Sequence, residues 1–169
     1  MAVGQYFIGK PVISVKEGKR VGTVKDLFVD SALRNVVGVY LGAEGLFNRR
    51  GLCVDRDNVV VYGADAVLIK EAGAVVDSTP ACDAAIWVRL NRLHALEAAT
   101  AGGTRVATIE DVILDADMRV LGFSLSRIYV SGPVAEKRAI AREAVTHIDV
   151  DLGLTIDLSV AEAQDLSLS

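Results

Sequence analysis

Arg20-Val21-Gly22-Thr23-Val24-Lys25-Asp26-Leu27-Phe28-Val29-Asp30 returns 85 residues later as Arg105-Val106-Ala107-Thr108-Ile109-Glu110-Asp111-Val112-Ile113-Leu114-Asp115. Five of the eleven positions are identical, and most of the others exchange one apolar residue for another. The match extends both ways. Gly18 meets Gly103 upstream, Arg34 meets Arg119 downstream, and Val36-Val37-Gly38-Val39 faces Val120-Leu121-Gly122-Phe123. Further on, Val54-Asp55-Arg56-Asp57-Asn58-Val59 resembles Ile140-Ala141-Arg142-Glu143-Ala144-Val145. Chance explains one such segment but not three in the same order, so the chain reads as an internal repeat. The copies run from about Ile8 to Ile69 and from about Leu93 to Leu158. This gives a first unit over residues 1–70, a linker over 71–92, and a second unit with a C-terminal tail over 93–169. Each copy has about 65 residues, near the lower size limit for independent folding, so a neighbour that buries shared surface would help.

The residues within a copy favour strands. Pro11–Val15, Val21–Val29, Val36–Leu41, Leu52–Val54, Val59–Tyr62 and Ala66–Ile69 are short apolar runs separated by turn residues. Lys16-Glu17-Gly18-Lys19 supplies a hairpin in which Gly18 takes positive φ. Ser31-Ala32-Leu33-Arg34-Asn35 supplies the next turn, replaced in the second copy by Asp115-Ala116-Asp117-Met118-Arg119. The second strand breaks alternation at the same place in both copies: Val24 is followed by Leu27, and Ile109 by Val112. A β-bulge at Lys25-Asp26 and Glu110-Asp111 would restore one buried face; otherwise both faces are partly buried. Residues 85–100 admit two readings. Ile86, Leu90, Leu93 and Leu96 form a helical stripe, whereas the repeat makes Leu96–Thr100 the counterpart of an opening strand.

Composition narrows the class. Hydrophobic residues make up 51% and charged residues 24%, so a buried core is available and disorder is not expected. The net charge of −4 argues against a nucleic-acid partner, whose phosphates call for a basic face. No run of about 18 apolar residues suggests a membrane span, and no secretory pattern opens the chain, so a cytoplasmic location is expected. Cys53 and Cys82 lack motif spacing, and in that compartment they are expected to be free thiols.

The residues Ile8-Gly9-Lys10-Pro11-Val12, Glu17-Gly18-Lys19, Val21-Gly22-Thr23-Val24-Lys25-Asp26-Leu27 and Val36-Val37-Gly38-Val39 resemble the PRC-barrel family. The second copy departs from that pattern where Ala107 replaces the glycine and Leu96-Glu97-Ala98 replaces the Pro-Val opening. The resemblance implies a mainly β fold of two small six-stranded barrels in tandem, with a short helix or turn in the linker. The family includes the cytoplasmic domain of the photosynthetic reaction-centre H subunit and the C-terminal domain of a bacterial ribosome-maturation factor. It also includes stand-alone proteins, some tied to cell division. What these share is docking onto larger assemblies, and fold alone assigns no chemistry.

The candidate sites are consistent with that picture. No phosphate loop, dinucleotide fingerprint, zinc helix or nucleophile elbow occurs, so no catalytic residue, cofactor or metal is expected. His94 and His147 fall at different repeat positions and away from cysteine. Asp26, Asp30, Asp111, Asp115 and Asp117 are interrupted by apolar residues and read as ligands for turn amides, not for calcium. The loop Gly42–Gly51 carries Leu46, Phe47, Arg49 and Arg50, residue types common at interfaces; Leu46 and Phe47 could equally cap the barrel end. Phe28 and Ile113 lie between core residues on their strands and should point out of their barrels, towards a pseudo-twofold contact within the chain or in a homodimer. The expected function is therefore a non-enzymatic scaffold or adaptor with a protein partner. A ribosome- or RNA-associated assembly factor is the alternative, drawn from one family branch together with Arg49-Arg50 and Lys137-Arg138.

Overall fold

The computed structural model is mainly β and describes residues 1–44, 50–77 and 86–166. The chain divides into two compact bodies: Gln5–Ser31 with Asn35–Arg89, and Met1–Gly4 with Ala32–Arg34 and the chain from Leu90 onward. The division at Arg89 falls inside the stretch expected to be a linker, most of which joins the first body.

The chain opens with β1 (Ala2–Val3), a strand of the second body. The first body contains β2 (Pro11–Ser14), β3 (Lys19–Thr23), β4 (Asp26–Asp30), β5 (Val36–Glu44), β6 (Arg50–Asp55), β7 (Val59–Tyr62), β8 (Val67–Ile69), β9 (Val76–Asp77) and β10 (Trp87–Arg89). They form two sheets, in the orders β10-β4-β5-β6-β9 and β3-β2-β8-β7. Gly18 closes the β2–β3 hairpin at φ 64°, as its lack of a side chain allows. Where a bulge was expected, the strand breaks outright: β3 stops at Thr23 and β4 starts at Asp26. Val24 is fully buried in the gap while Lys25 faces water, although Lys25 N–H still donates to Tyr40 C=O. Asp26 to Val29 are all buried, so both faces of β4 are covered.

The second body contains β11 (Glu97–Thr100), β12 (Arg105–Leu114), β13 (Val120–Ile128), a one-turn helix α1 (Pro133–Lys137), β14 (Ala139–Ala141), β15 (Val145–Asp149), β16 (Gly153–Ile156) and α2 (Leu158–Ala163). Its single sheet has the order β14-β13-β12-β11-β16-β15, with β1 added to β12. Here the second strand is continuous, and the register jumps between Ile109 and Asp111, leaving Glu110 as the bulged residue at the expected site. Of the stretch 85–100, residues 86–100 contain β10, a 3-10 turn at Leu90–Arg92, and β11. Ala98 and Ala99, good helix formers, become strand because β12 pairs on one side and β16 on the other.

The expectation of closed barrels needs correcting. No closed barrel forms among the described residues: the hydrogen-bonded order ends at β15 in one body and at β7 in the other. Both terminal strands carry a register shift, between Val59 and Val61 in β7 and between Val145 and His147 in β15. A bulge there takes the outer backbone groups out of step with any further ladder. No helix among the described residues is long and apolar enough to cross a membrane.

Candidate functional site

The repeated aspartates are used to build the fold. Asp26 is buried, and its Oδ1 accepts the Leu27 N–H at 2.8 Å while Oδ2 accepts Arg89 Nε at 3.2 Å. Asp111 accepts the Val112 N–H at 2.8 Å in the equivalent position. Asp30 accepts from the Asn35 amide, and Asp115 accepts the Asp117 and Arg119 N–H groups that close the second turn. Each carboxylate thus satisfies a donor that a tight turn or broken ladder would leave orphaned. Among the described residues no three acidic, histidine or cysteine side chains are grouped to hold a metal. His94 Nδ1 lies 3.0 Å from the Glu110 carbonyl on the surface, and His147 is exposed on β15.

Phe28 and Ile113 are both buried, Ile113 completely. Cross-strand register puts Phe28 beside Gly38, and Tyr40 beside both Asp26 and Cys53, on one face of the five-stranded sheet. Phe28 and Cys53 form a buried cluster there with Val37, Tyr40, Val76 and Trp87 packed against it. The Phe28 and Tyr40 rings meet edge-on at 5.8 Å, and Trp87 lies tilted over Phe28 at 5.7 Å. Arg89 stacks on Tyr40 at 4.0 Å while it pairs with Asp26. Ile113 sits opposite Gly122, where a Cβ would overlap Leu166. Over Phe28, part of the cover comes from Trp87, in chain that follows the first copy.

Cys53 also departs from expectation. It is fully buried and disulfide-bonded, not a free thiol. Nothing in the spacing of Cys53 and Cys82 announces a bond, because only the folded sheet sets what lies over Cys53. Cys82 and the interface candidates Leu46, Phe47 and Arg49 lie outside the described residues; Arg50 begins β6, and its side chain is likewise outside them.

Two exposed features had no signal strong enough to single out in the sequence. The bulge in β7 leaves Val60 and Val61 both facing water, 53% and 46% exposed, at the end of its sheet. In the second body Tyr129 is exposed with Arg105 stacked on it at 4.1 Å. A hydrogen bond with Thr108, and then the Arg105 and Arg127 charges, lower its phenol below the usual range.

The span that builds most of this sheet, from Gln5 to Val76, matches the model of one known family, the PRC-barrel domain, over residues 5–76. Residues 5–76 are a PRC-barrel domain. No curated protein matches the chain. The PRC-barrel match ends at Val76, so Trp87 and Arg89, which cover the domain's outer face, come from chain beyond it.

Proposed function

We propose that this chain is a non-enzymatic adaptor built of two PRC-type units in tandem, acting through protein–protein contacts. The second unit is proposed on the sequence repeat together with strand order: β14-β13-β12-β11-β16-β15 has the same sequence of equivalents as β6-β5-β4 followed by β3-β2-β8-β7. The observation that carries the adaptor reading is β7. Its Val60 and Val61 present adjacent apolar side chains on the terminal strand of a sheet, a site that proteins usually blunt with charge. Val15, exposed just beyond β2, extends the apolar character of the same sheet. The loop residues Leu46, Phe47, Arg49 and Arg50 are proposed as further contacts, in a cytoplasmic protein.

The test is capture of partners from the source organism with the wild type and with V60D/V61D. A partner retained by the wild type and lost by the variant, with the variant still folded, supports the reading. Recovery of no partner, together with turnover in a substrate screen, overturns it.

Tyr129, Arg105 and Arg127 favour a second reading, an RNA-associated assembly factor, because an exposed ring flanked by guanidinium groups suits base stacking and phosphate contact. That reading requires RNA binding that weakens steeply with salt and is lost in Y129A. The net charge of −4 and the ion pair of Arg105 with Glu97 weigh against it.

A further inference from the structure

Resting on the adaptor reading of Val60 and Val61, we propose that the outer face of the four-stranded sheet β3-β2-β8-β7 binds a second copy of this chain. Alternation sets which residues face outward. In β2, Val12 and Ser14 are buried, while Pro11 and Ile13 are partly exposed on the other side. In β8, Val67 and Ile69 are buried and Leu68 between them is not. Register then aligns one row across the sheet: Arg20 opposite Ile13, Ile13 opposite Leu68, and Leu68 opposite Val61. Val60 beside Val61, and Val15 just past the end of β2, widen this row into an apolar face; Val15 is 55% exposed.

Charge changes sign across that row. At the β3 edge stand Lys19 and Arg20, both exposed, with the Arg20 guanidinium donating along the strand to the Gly22 carbonyl and the Thr23 hydroxyl. At the β7 edge stand Asp57 before the strand and Asp65 after it, both exposed. Neighbouring Arg56 acts on the buried hydroxyl of Tyr62, which pairs with the inward-facing Val67. Lys16 is paired with Glu71, and Lys10 donates to the Gly63 carbonyl. An anionic lipid surface calls for basic charge throughout, which this face lacks. It complements itself. Ser14 pairs with Lys19 and Ile69, and Ile69 with Val59, so Lys19 and Asp57 lie toward the same end of the sheet. A two-fold axis in the plane of the face and parallel to the strands keeps that end and exchanges the edges. It lays β3 of each copy over β7 of the other, with Lys19 and Arg20 against Asp57 and Ile13 against Leu68, as in aligned sheet packing. Association is through the face because the bulge in β7 puts its outer backbone groups out of step with a ladder.

Sedimentation of the full chain over a range of micromolar concentrations reads the association, with far-ultraviolet circular dichroism as the folding control. The expected result is a reversible monomer–dimer equilibrium for the wild type. Val61→Asp, at a site already open to water, should weaken it about 100-fold or more with the β spectrum unchanged. Arg20→Glu and Asp57→Arg should each be monomeric where the wild type is dimeric, because each sets like charges together. Mixing those two variants one to one should restore dimers, since every acid then faces a base across the interface. A wild type that stays monomeric overturns the proposal, as does a dimer that Val61→Asp leaves intact or a mixture that fails to associate. Association of the wild type with anionic phosphatidylserine vesicles in place of a second copy overturns it too. A monomeric wild type that still captures a protein lost in V60D/V61D refutes the second copy and leaves the adaptor reading standing. The expected dimer in a chain that turns over a substrate refutes the adaptor reading and keeps the second copy.

Discussion

Arg142 shows what a single side chain can hold in this molecule. It is buried, with Nε and Nη2 donating to the Ala32 carbonyl at 3.0 and 2.6 Å and Nη1 donating to the Val145 carbonyl at 3.3 Å. It thereby fixes the Ala32–Arg34 turn, whose Leu33 is fully buried at φ 53°. Charged hydrogen bonds of this kind contribute about 1.5–3 kcal/mol. Arg142→Met should therefore lower stability in urea unfolding by about that amount. Arg142→Lys should recover little of it, because an ammonium cannot reproduce the planar fork. Tyr62 is the opposite case. Its ring packs edge-on to Phe7, while burial pushes its phenol well above the usual range, against a smaller lowering by Arg56. Its hydroxyl is buried with no hydrogen-bond partner. Tyr62→Phe removes an unsatisfied group and keeps the ring, so the melting temperature should hold or rise.

At the scale of elements, the glycines of β5 and β13 decide how the outer faces are covered. Gly38 admits Trp87, and Gly122 admits Leu166 beside the Ile140 carbonyl. A methyl group at either meets backbone oxygen, which cannot rotate away. Gly122→Ala should cost about 1–3 kcal/mol, typical of overpacking, and Gly38→Ala should both destabilise and shift Trp87 emission. Trp87→Ala removes the cover of Phe28 without touching β4 itself. Its expected cost is about 2 kcal/mol, since the indole is only half-buried, and it should raise binding of an apolar dye. An unchanged melting curve for Trp87→Ala would show that the Trp87 side chain contributes nothing to the domain.

For the whole molecule, the sequence boundary and the folded boundary differ. The second body includes Met1–Gly4 and Ala32–Arg34 as well as the chain from Leu90. β1 pairs with β12 through Ala2–Leu114 and Val3–Ile113, and Val120 N–H donates to Arg34 C=O. A fragment beginning at Leu90 loses that ladder and the acceptor of Arg142. It should show a lower and broader urea transition than the same region within the full chain. Equal transitions would mean the borrowed segments are dispensable.

Strand over Val106–Leu114, and over Val21–Val29 apart from the break at Val24-Lys25, was legible from residue order alone. Alternating branched residues, a turn glycine and an aspartate after the bulge state local backbone requirements, and these recur wherever the pattern recurs. The shift from Val24 to Leu27 likewise marked where the strand would bend or break. Local pattern could not say what would cover Phe28, because the segment around Trp87 belongs to no repeat and looked half helical. Nor could it pair Cys53, leave Val60 and Val61 facing water, or set Arg142 against a carbonyl far along the chain. Those outcomes depend on which edges and faces the folded sheets bring together, and free energy from such long-range contacts has no signature in the neighbouring residues.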